Sequence, residues 1–267
     1  MCDALEVSRS GYYAYRTRPD SPRTLRHRAL TQKIRESFQE SGETYGAIRI
    51  RQDLLDEGER VGKNTVAYLM KRAALTPRPL RKFKVTTDTR NNPAQPNLLK
   101  QNFDVPDLNT SWVTDITAIP TREGWLYLCI FLDLCSRAVI GWSMSSRIKG
   151  DLVTDALKMA LDNRETTSKV VVHSDQGSQY TSEQYQRTLK RHGMICSMSR
   201  KGNCWDNAVA ESFFHSLKTE RTNHRTYQTR THAKLDLFEY IEVFYNRRRR
   251  HSKLGYQAPL VFEEQFN

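Results

Sequence analysis

Between Val170 and Lys218 the chain reads VVVHSDQGSQYTSEQYQRTLKRHGMICSMSRKGNCWDNAVAESFFHSLK. The β-branched run Val170-Val171-Val172 predicts a buried strand that stops at His173, Ser174 and Asp175. A loop of Gln176, Gly177, Ser178 and Gln179 follows, then a helix over 181–192, a short strand over 195–198 and a second loop. A helix starting near Asp206 or Asn207 then carries Glu211. One carboxylate thus closes a strand, and another sits on a helix after 35 intervening residues. Asn207, Glu211, His215 and Lys218 recur at helical spacing and form one polar stripe, leaving Val209, Phe213 and Leu217 for packing.

A third carboxylate comes from upstream. Ser111 to Thr121 (SWVTDITAIPT) alternates apolar and polar residues and predicts a strand with Asp115 near its middle. Trp125 to Cys135 and Ala138 to Met144 predict two more strands, and their short connections imply an antiparallel meander. An amphipathic helix over 150–163 leads to the fourth strand. The expectation is an α/β fold: a mixed five-stranded sheet flanked by helices, in which the first and fourth strands can be neighbours. A lone buried carboxylate such as Asp115 costs several kcal/mol on order-of-magnitude grounds, and a shared cation removes that cost. Three carboxylates without suitable His or Cys ligands favour Mg²⁺ or Mn²⁺ over zinc. Two such ions suit in-line displacement at phosphorus, with Asp115, Asp175 and Glu211 as both metal ligands and catalytic groups and Lys218 holding a backbone phosphate. Each residue also has an ordinary reading: Asp175 as a turn cap, Glu211 as a solvated helix residue, Lys218 as a surface lysine. Of the competing carboxylates, Asp133 is expected to pair with Arg137, Asp206 to cap the following helix, and Asp151 and Asp155 to face solvent. His173 and His215 are expected to pack near the site.

The flanks are basic. Of the net charge of +12, residues 1–100 carry +9 and residues 200–267 carry +4, while residues 101–199 carry −1. A polyanion such as DNA is the natural partner of such ends, the alternative being a solubilising surface. Residues 1–75 predict a helical, helix-turn-helix-like DNA-binding region, with helices over 29–40, 45–56 and 63–74. Lys63, Asn64, Tyr68, Lys71 and Arg72 are polar groups of the last helix, and Ser8 caps a short arm near the start. A plain protein-docking module has the same outline. Residues 76–108, interrupted by prolines, predict a basic linker; 109–228 hold the catalytic core; 229–267 form a basic helix and tail packed on it. That helix, His232 to Tyr245, runs into Arg247, Arg248, Arg249 and Arg250, a run that invites phosphate contacts. Five cysteines without CxxC spacing predict reduced thiols. No segment resembles a secretory signal or a membrane span, so a cytoplasmic, nucleoid-associated chain is expected.

TDIT with Asp115, HSDQGSQY with Asp175, and CWDNAVAESFFHSLK with Glu211 and Lys218 resemble the core motifs of bacterial insertion-sequence transposases, specifically the second-frame product of two-frame elements. YNRRRRHSKLGYQAP (Tyr245 to Pro259), YGAIRI (Tyr45 to Ile50) and VSRSGYY extend the resemblance over most of the chain. The Asp–Glu interval is similar to that of retroviral integrases. The resemblance implies an RNase H-like core binding two divalent ions and a transposase acting on element terminal inverted repeats and target DNA. It would hydrolyse a phosphodiester at an element end, and the released 3′-hydroxyl would attack another. It also implies a homo-oligomer on DNA and an upstream-frame protein joined by frameshifting. An RNase H-like nuclease without strand transfer, and a non-catalytic DNA-binding regulator of the fused transposase, are the alternatives.

Overall fold

A computed structural model describes residue 2 and residues 6–78, 95–166, 169–200 and 204–266. The chain divides into two compact units, Met1–Arg78 and Pro79–Asn267.

In the first unit, α1 (Arg9–Thr17) is capped by Ser8, whose hydroxyl accepts from the Gly11 N–H at 3.1 Å. None of its residues is buried, so the short arm near the start of the chain is a solvated helix. Three helices make the core: α2 (Pro22–Glu40), α3 (Ala47–Asp56) and α4 (Lys63–Arg72). Pro22 at the first turn and the Ser21 cap start α2. Leu30, Ile34 and Phe38 at i, i+4 spacing meet Ile50 and Leu54 of α3 and Val66, Leu69 and Met70 of α4. Gly58, at φ +83°, allows the sharp turn between α3 and α4. Arg51 Nε braces that turn by donating to the Val61 carbonyl at 3.1 Å. The outer face of α4 leaves Lys63, Asn64, Tyr68, Lys71 and Arg72 exposed.

The second unit is built on a five-stranded sheet of order β3-β2-β1-β4-β5. The strands are β1 (Ser111–Thr121), β2 (Gly124–Asp133), β3 (Val139–Ser145), β4 (Val171–Ser174) and β5 (Ile195–Met198). β1, β2 and β3 form the antiparallel meander; β4 and β5 add in parallel to β1. This is the mixed, RNase H-like sheet expected from the sequence. Both faces are covered, which is why β2 is almost continuously apolar. Leu126, Leu128, Ile130 and Leu132 face α7 (Ala208–Glu220) and α8 (Arg230–Phe238). Cys129 and Phe131 face α5 (Gly150–Asp162) and α6 (Glu183–Arg191). Gly141 lets α5 cross β3 closely: a Cβ there would stand 2.4 Å from the Ala156 carbonyl oxygen.

Several loops depart from their sequence reading. Asp133 does not pair with Arg137; burial raises its pKa, while the N–H groups of Asn109, Cys135 and Ser136 donate to it at 2.8, 2.8 and 3.1 Å. Arg137 instead donates to the Phe103 carbonyl at 2.7 Å. Of the segment read as a linker, residues 79–94 lie outside the described residues. Further on it is docked: Leu99 is buried, and Phe103 and Val105 pack against the same core. The helix expected over His232–Tyr245 is two pieces, α8 and a π-helical turn over Glu239–Tyr245. Asn246 then clasps β3, accepting from the Val139 N–H and donating to its carbonyl, both at 2.9 Å. A short helix, α9 (Pro259–Glu263), lies near the C-terminal end. Among the described residues, no helix is long and apolar enough to cross a membrane.

Candidate active site

The sheet register brings the first two carboxylates together. β1 and β4 run parallel with Val113 opposite His173, so Asp115 and Asp175 occupy equivalent positions two residues further along each chain. Adjacent strands lie about 4.8 Å apart, and side chains two residues apart share a face. The Asp115 side chain therefore leaves the sheet on the side of Val113 and Ile119, the side that α7 covers. Asp175 follows the last residue of β4, where the chain leaves the sheet, and its Oδ1 accepts from the Gly177 N–H at 2.9 Å. Asp115 Oδ1 accepts from the Ile116 N–H at 2.8 Å.

α7 supplies Glu211 from its first turn and Lys218 from its last. All four groups share one electrostatic environment. Burial pushes the Asp115 carboxyl well above the usual carboxylate range; the nearby Asp175 and Glu211 charges push it further, and Lys218 opposes them. Burial also raises Asp175, against the Gly177 hydrogen bond, and raises Glu211. Burial lowers Lys218, against the pull of Asp115. Three half-buried carboxyl groups that resist ionisation together form a site that gains from a cation. Among the described residues, no group of three Asp, Glu, His or Cys side chains makes a ready-assembled metal cage. The donor chemistry of Asp115, Asp175 and Glu211 nevertheless fits a hard cation, since each offers carboxylate oxygen alone. A further buried oxygen lies close by. Asn207 donates its Nδ2 to the carbonyl of Thr114, the neighbour of Asp115, at 3.2 Å, while its Oδ1 is buried without a protein partner.

The ends of these elements are held by a network that the sequence hid. Asp206 is not a helix cap, since the cap position belongs to Asn207 and carries no side-chain cap bond. Its carboxylate instead accepts from Asn97 Nδ2 at 2.8 Å, Gln101 Nε2 at 2.9 Å, and the backbone and guanidinium of Arg200 at 2.9–3.1 Å. Burial alone would raise its pKa, yet these donors hold it well below the usual carboxylate range. His173 lies between Ser197 Oγ (2.8 Å) and Ser199 Oγ (3.2 Å), and burial lowers its pKa to about 4. It is therefore a neutral packing group. Beneath Asp115, on the other sheet face, Thr114 Oγ1 lies 3.2 Å from the buried Tyr180 hydroxyl. No spacing in the sequence points to the Tyr180 or Asn97 contacts; only Asn207, one turn before Glu211, was visible as part of the polar stripe.

The basic residues separate into two kinds. Lys63, Lys71 and Arg72 are exposed on α4, with the Arg72 guanidinium 5.7 Å from the centre of the Tyr68 ring. Arg247 and Arg248 are exposed. Arg249 is not: it is buried and donates twice to Glu220, at 2.7 and 2.6 Å, and to Ser216 Oγ at 3.1 Å. Arg250 is half-buried and donates to the Tyr256 carbonyl at 3.0 Å. The reading of all four as equivalent phosphate contacts is thus corrected for Arg249, whose charge is consumed inside the fold. The π turn causes this. Its N–H to carbonyl bonds span five residues, as from Arg249 to Phe244 at 2.7 Å, and so shift the run relative to a regular helix.

Residues 25–83 match the family described as an HTH-like domain, while residues 107–204 and 192–259 match two integrase core domain families. Among solved structures, the integrase catalytic core of HTLV-2, solved in complex with magnesium, is 13% identical. That match covers 58% of this chain and 95% of the other, with a TM-score of 0.44. The Shigella sonnei insertion element IS600 uncharacterized 31 kDa protein is 40% identical, covering 100% of this chain and 98% of the other. Transposase InsF for insertion sequence IS3A of Escherichia coli K12 is 43% identical over 98% of this chain and 92% of its own length. At that identity over essentially its whole length, the chain belongs to the family of insertion-sequence transposases that includes InsF.

Proposed function

We propose that the chain cleaves DNA at the ends of its insertion element and joins the freed strand to a second site, using Asp115, Asp175 and Glu211. The observation that carries this reading is that Asp115 on β1 and Asp175, just beyond the end of the parallel β4, each stand two residues past the paired Val113 and His173, with Glu211 close enough to bear on the ionisation of Asp115. The all-oxygen donor set suits Mg²⁺ or Mn²⁺, two ions in number. Bound there, such ions supply Lewis-acid stabilisation of the attacking and leaving oxygens. The chain's own part is to fix the donors: two from strands pinned in one sheet, one from a helix tied to β1 through Asn207. Lys218, on the polar stripe of α7, offers its ammonium to a non-bridging phosphate oxygen and keeps the strand in line.

In the first step a water oxygen bonds to phosphorus and the 3′-oxygen leaves, giving a 3′-hydroxyl and a 5′-phosphate. In the second, that hydroxyl attacks another phosphodiester and expels its 3′-oxygen. One P–O bond forms for each one broken, so joining needs no ATP. Lys63, Lys71 and Arg72 on α4, with Arg247 and Arg248, supply phosphate contacts to the terminal repeats and target DNA. Two ends must be held together, so the working assembly is a homo-oligomer on DNA. The upstream-frame protein, joined by frameshifting, is the further partner that the family implies.

The test uses duplexes carrying the element's ends with Mg²⁺, scored for nicked and joined strands. Asp115→Asn, Asp175→Asn and Glu211→Gln are each expected to bind DNA while losing both products by on the order of 100–1,000-fold or more. Full strand transfer in any of the three would sink the assignment. Cleavage without joining by the unaltered chain would instead make it a nuclease.

A further inference from the structure

Beside the carboxylate stripe, α7 walls a second feature that the proposed chemistry does not use. A cavity of about 290 Å³ lies between its Ala208–Ser216 flank, the docked segment at Gln101–Asp104, and the residues following the arginine run. That size is at the low end of small-molecule pockets, roughly 300 Å³, enough for one ring system and far too small for a duplex. Its lining is mixed in a specific way. Phe103 offers a half-buried aromatic ring, Ser212 a hydroxyl that can donate and accept, and the exposed Lys253 a cation at the rim, beside the exposed carboxylate of Asp104. A ring to stack on, donors and acceptors for an edge, and a cation for a phosphate are the needs of one nucleotide. Position argues the same way. Ser212 directly follows Glu211, about 100° round the helix, so the cavity opens one side-chain row from the proposed catalytic carboxylate.

We propose that this cavity receives a single nucleotide extruded from the DNA strand next to the cleaved phosphodiester, stacked on Phe103 with its phosphate at Lys253. The proposal rests on the transposase reading above and adds a subsite to it. Extrusion costs a few kcal/mol of stacking, least at a frayed or nicked end. Capture would therefore fix the register of the end with respect to Glu211, making Phe103 and Lys253 positioning residues.

The experiment places 5-iodouracil at successive positions around the cleavage site of an end duplex, irradiates the complex with the full chain, and maps adducts by mass spectrometry. Nicking of the same duplex is scored in parallel. One position is expected to give an adduct on the peptide containing Phe103. Ser212→Trp, which fills the cavity from an exposed position, should abolish that adduct, and Lys253→Ala should reduce it severalfold. Adducts confined to other segments while the duplex is nicked normally would overturn the subsite and leave the transposase reading standing. An adduct unchanged in both variants would overturn it equally. Absence of nicking by the unaltered chain would remove the catalytic reading and the subsite with it.

Discussion

Asp206 illustrates how a single residue can be misread. Directly before a helix, an aspartate normally caps it, yet here the carboxylate collects donors from Asn97, Gln101 and Arg200 and is fully buried. Satisfying a buried carboxylate needs several N–H groups, and the docked segment before β1 provides two of them. Because its folded pKa is depressed, its contribution is complete once the unfolded carboxyl is ionised, above about pH 4. It is lost as pH falls through the depressed folded value, since the unfolded chain takes up the proton first. Asp206→Asn should therefore cost about 1–3 kcal/mol at pH 7. In thermal denaturation the gap to the unaltered chain should shrink steadily between pH 5 and pH 3. A gap that stays constant with pH would show that the charge of Asp206 is not what holds the segment.

Elements differ in how legible they were. β1 was readable residue by residue because one face alternates into the core, and the i, i+4 spacing of α2 was equally open. The neighbouring of β1 and β4 was admissible from the order of elements, but their register, which aligns Asp115 with Asp175, is a property of paired backbones and leaves no local mark. The π turn is a harder case: nothing in EYIEVFY announces it, and it decides which arginine turns inward. That difference is measurable. Arg249→Met removes one partner of a buried ion pair with Glu220 and should cost about 3 kcal/mol in urea denaturation. Arg247→Ala with Arg248→Ala should move the midpoint far less, weaken binding to unrelated duplexes alike, and lower the salt slope by about two. Loss confined to one DNA sequence would assign the pair to base reading instead.

Over the whole molecule, charge and chemistry are segregated. The first unit presents the cationic face of α4, the second presents Arg247 and Arg248, and the three carboxylates belong to β1, the end of β4 and α7 of the second unit. On the proposed function, such a plan would separate DNA holding, spread over many weak phosphate contacts, from DNA cutting, concentrated in three side chains. The central claim is that these three hold the cation. Replacing Mg²⁺ with Fe²⁺ and adding ascorbate and peroxide cuts the polypeptide where the ion sits. Cuts are expected near residues 115, 175 and 211, suppressed by excess Mg²⁺ and absent in Asp115→Asn. Cuts elsewhere, or the same cuts in that variant, would contradict the account.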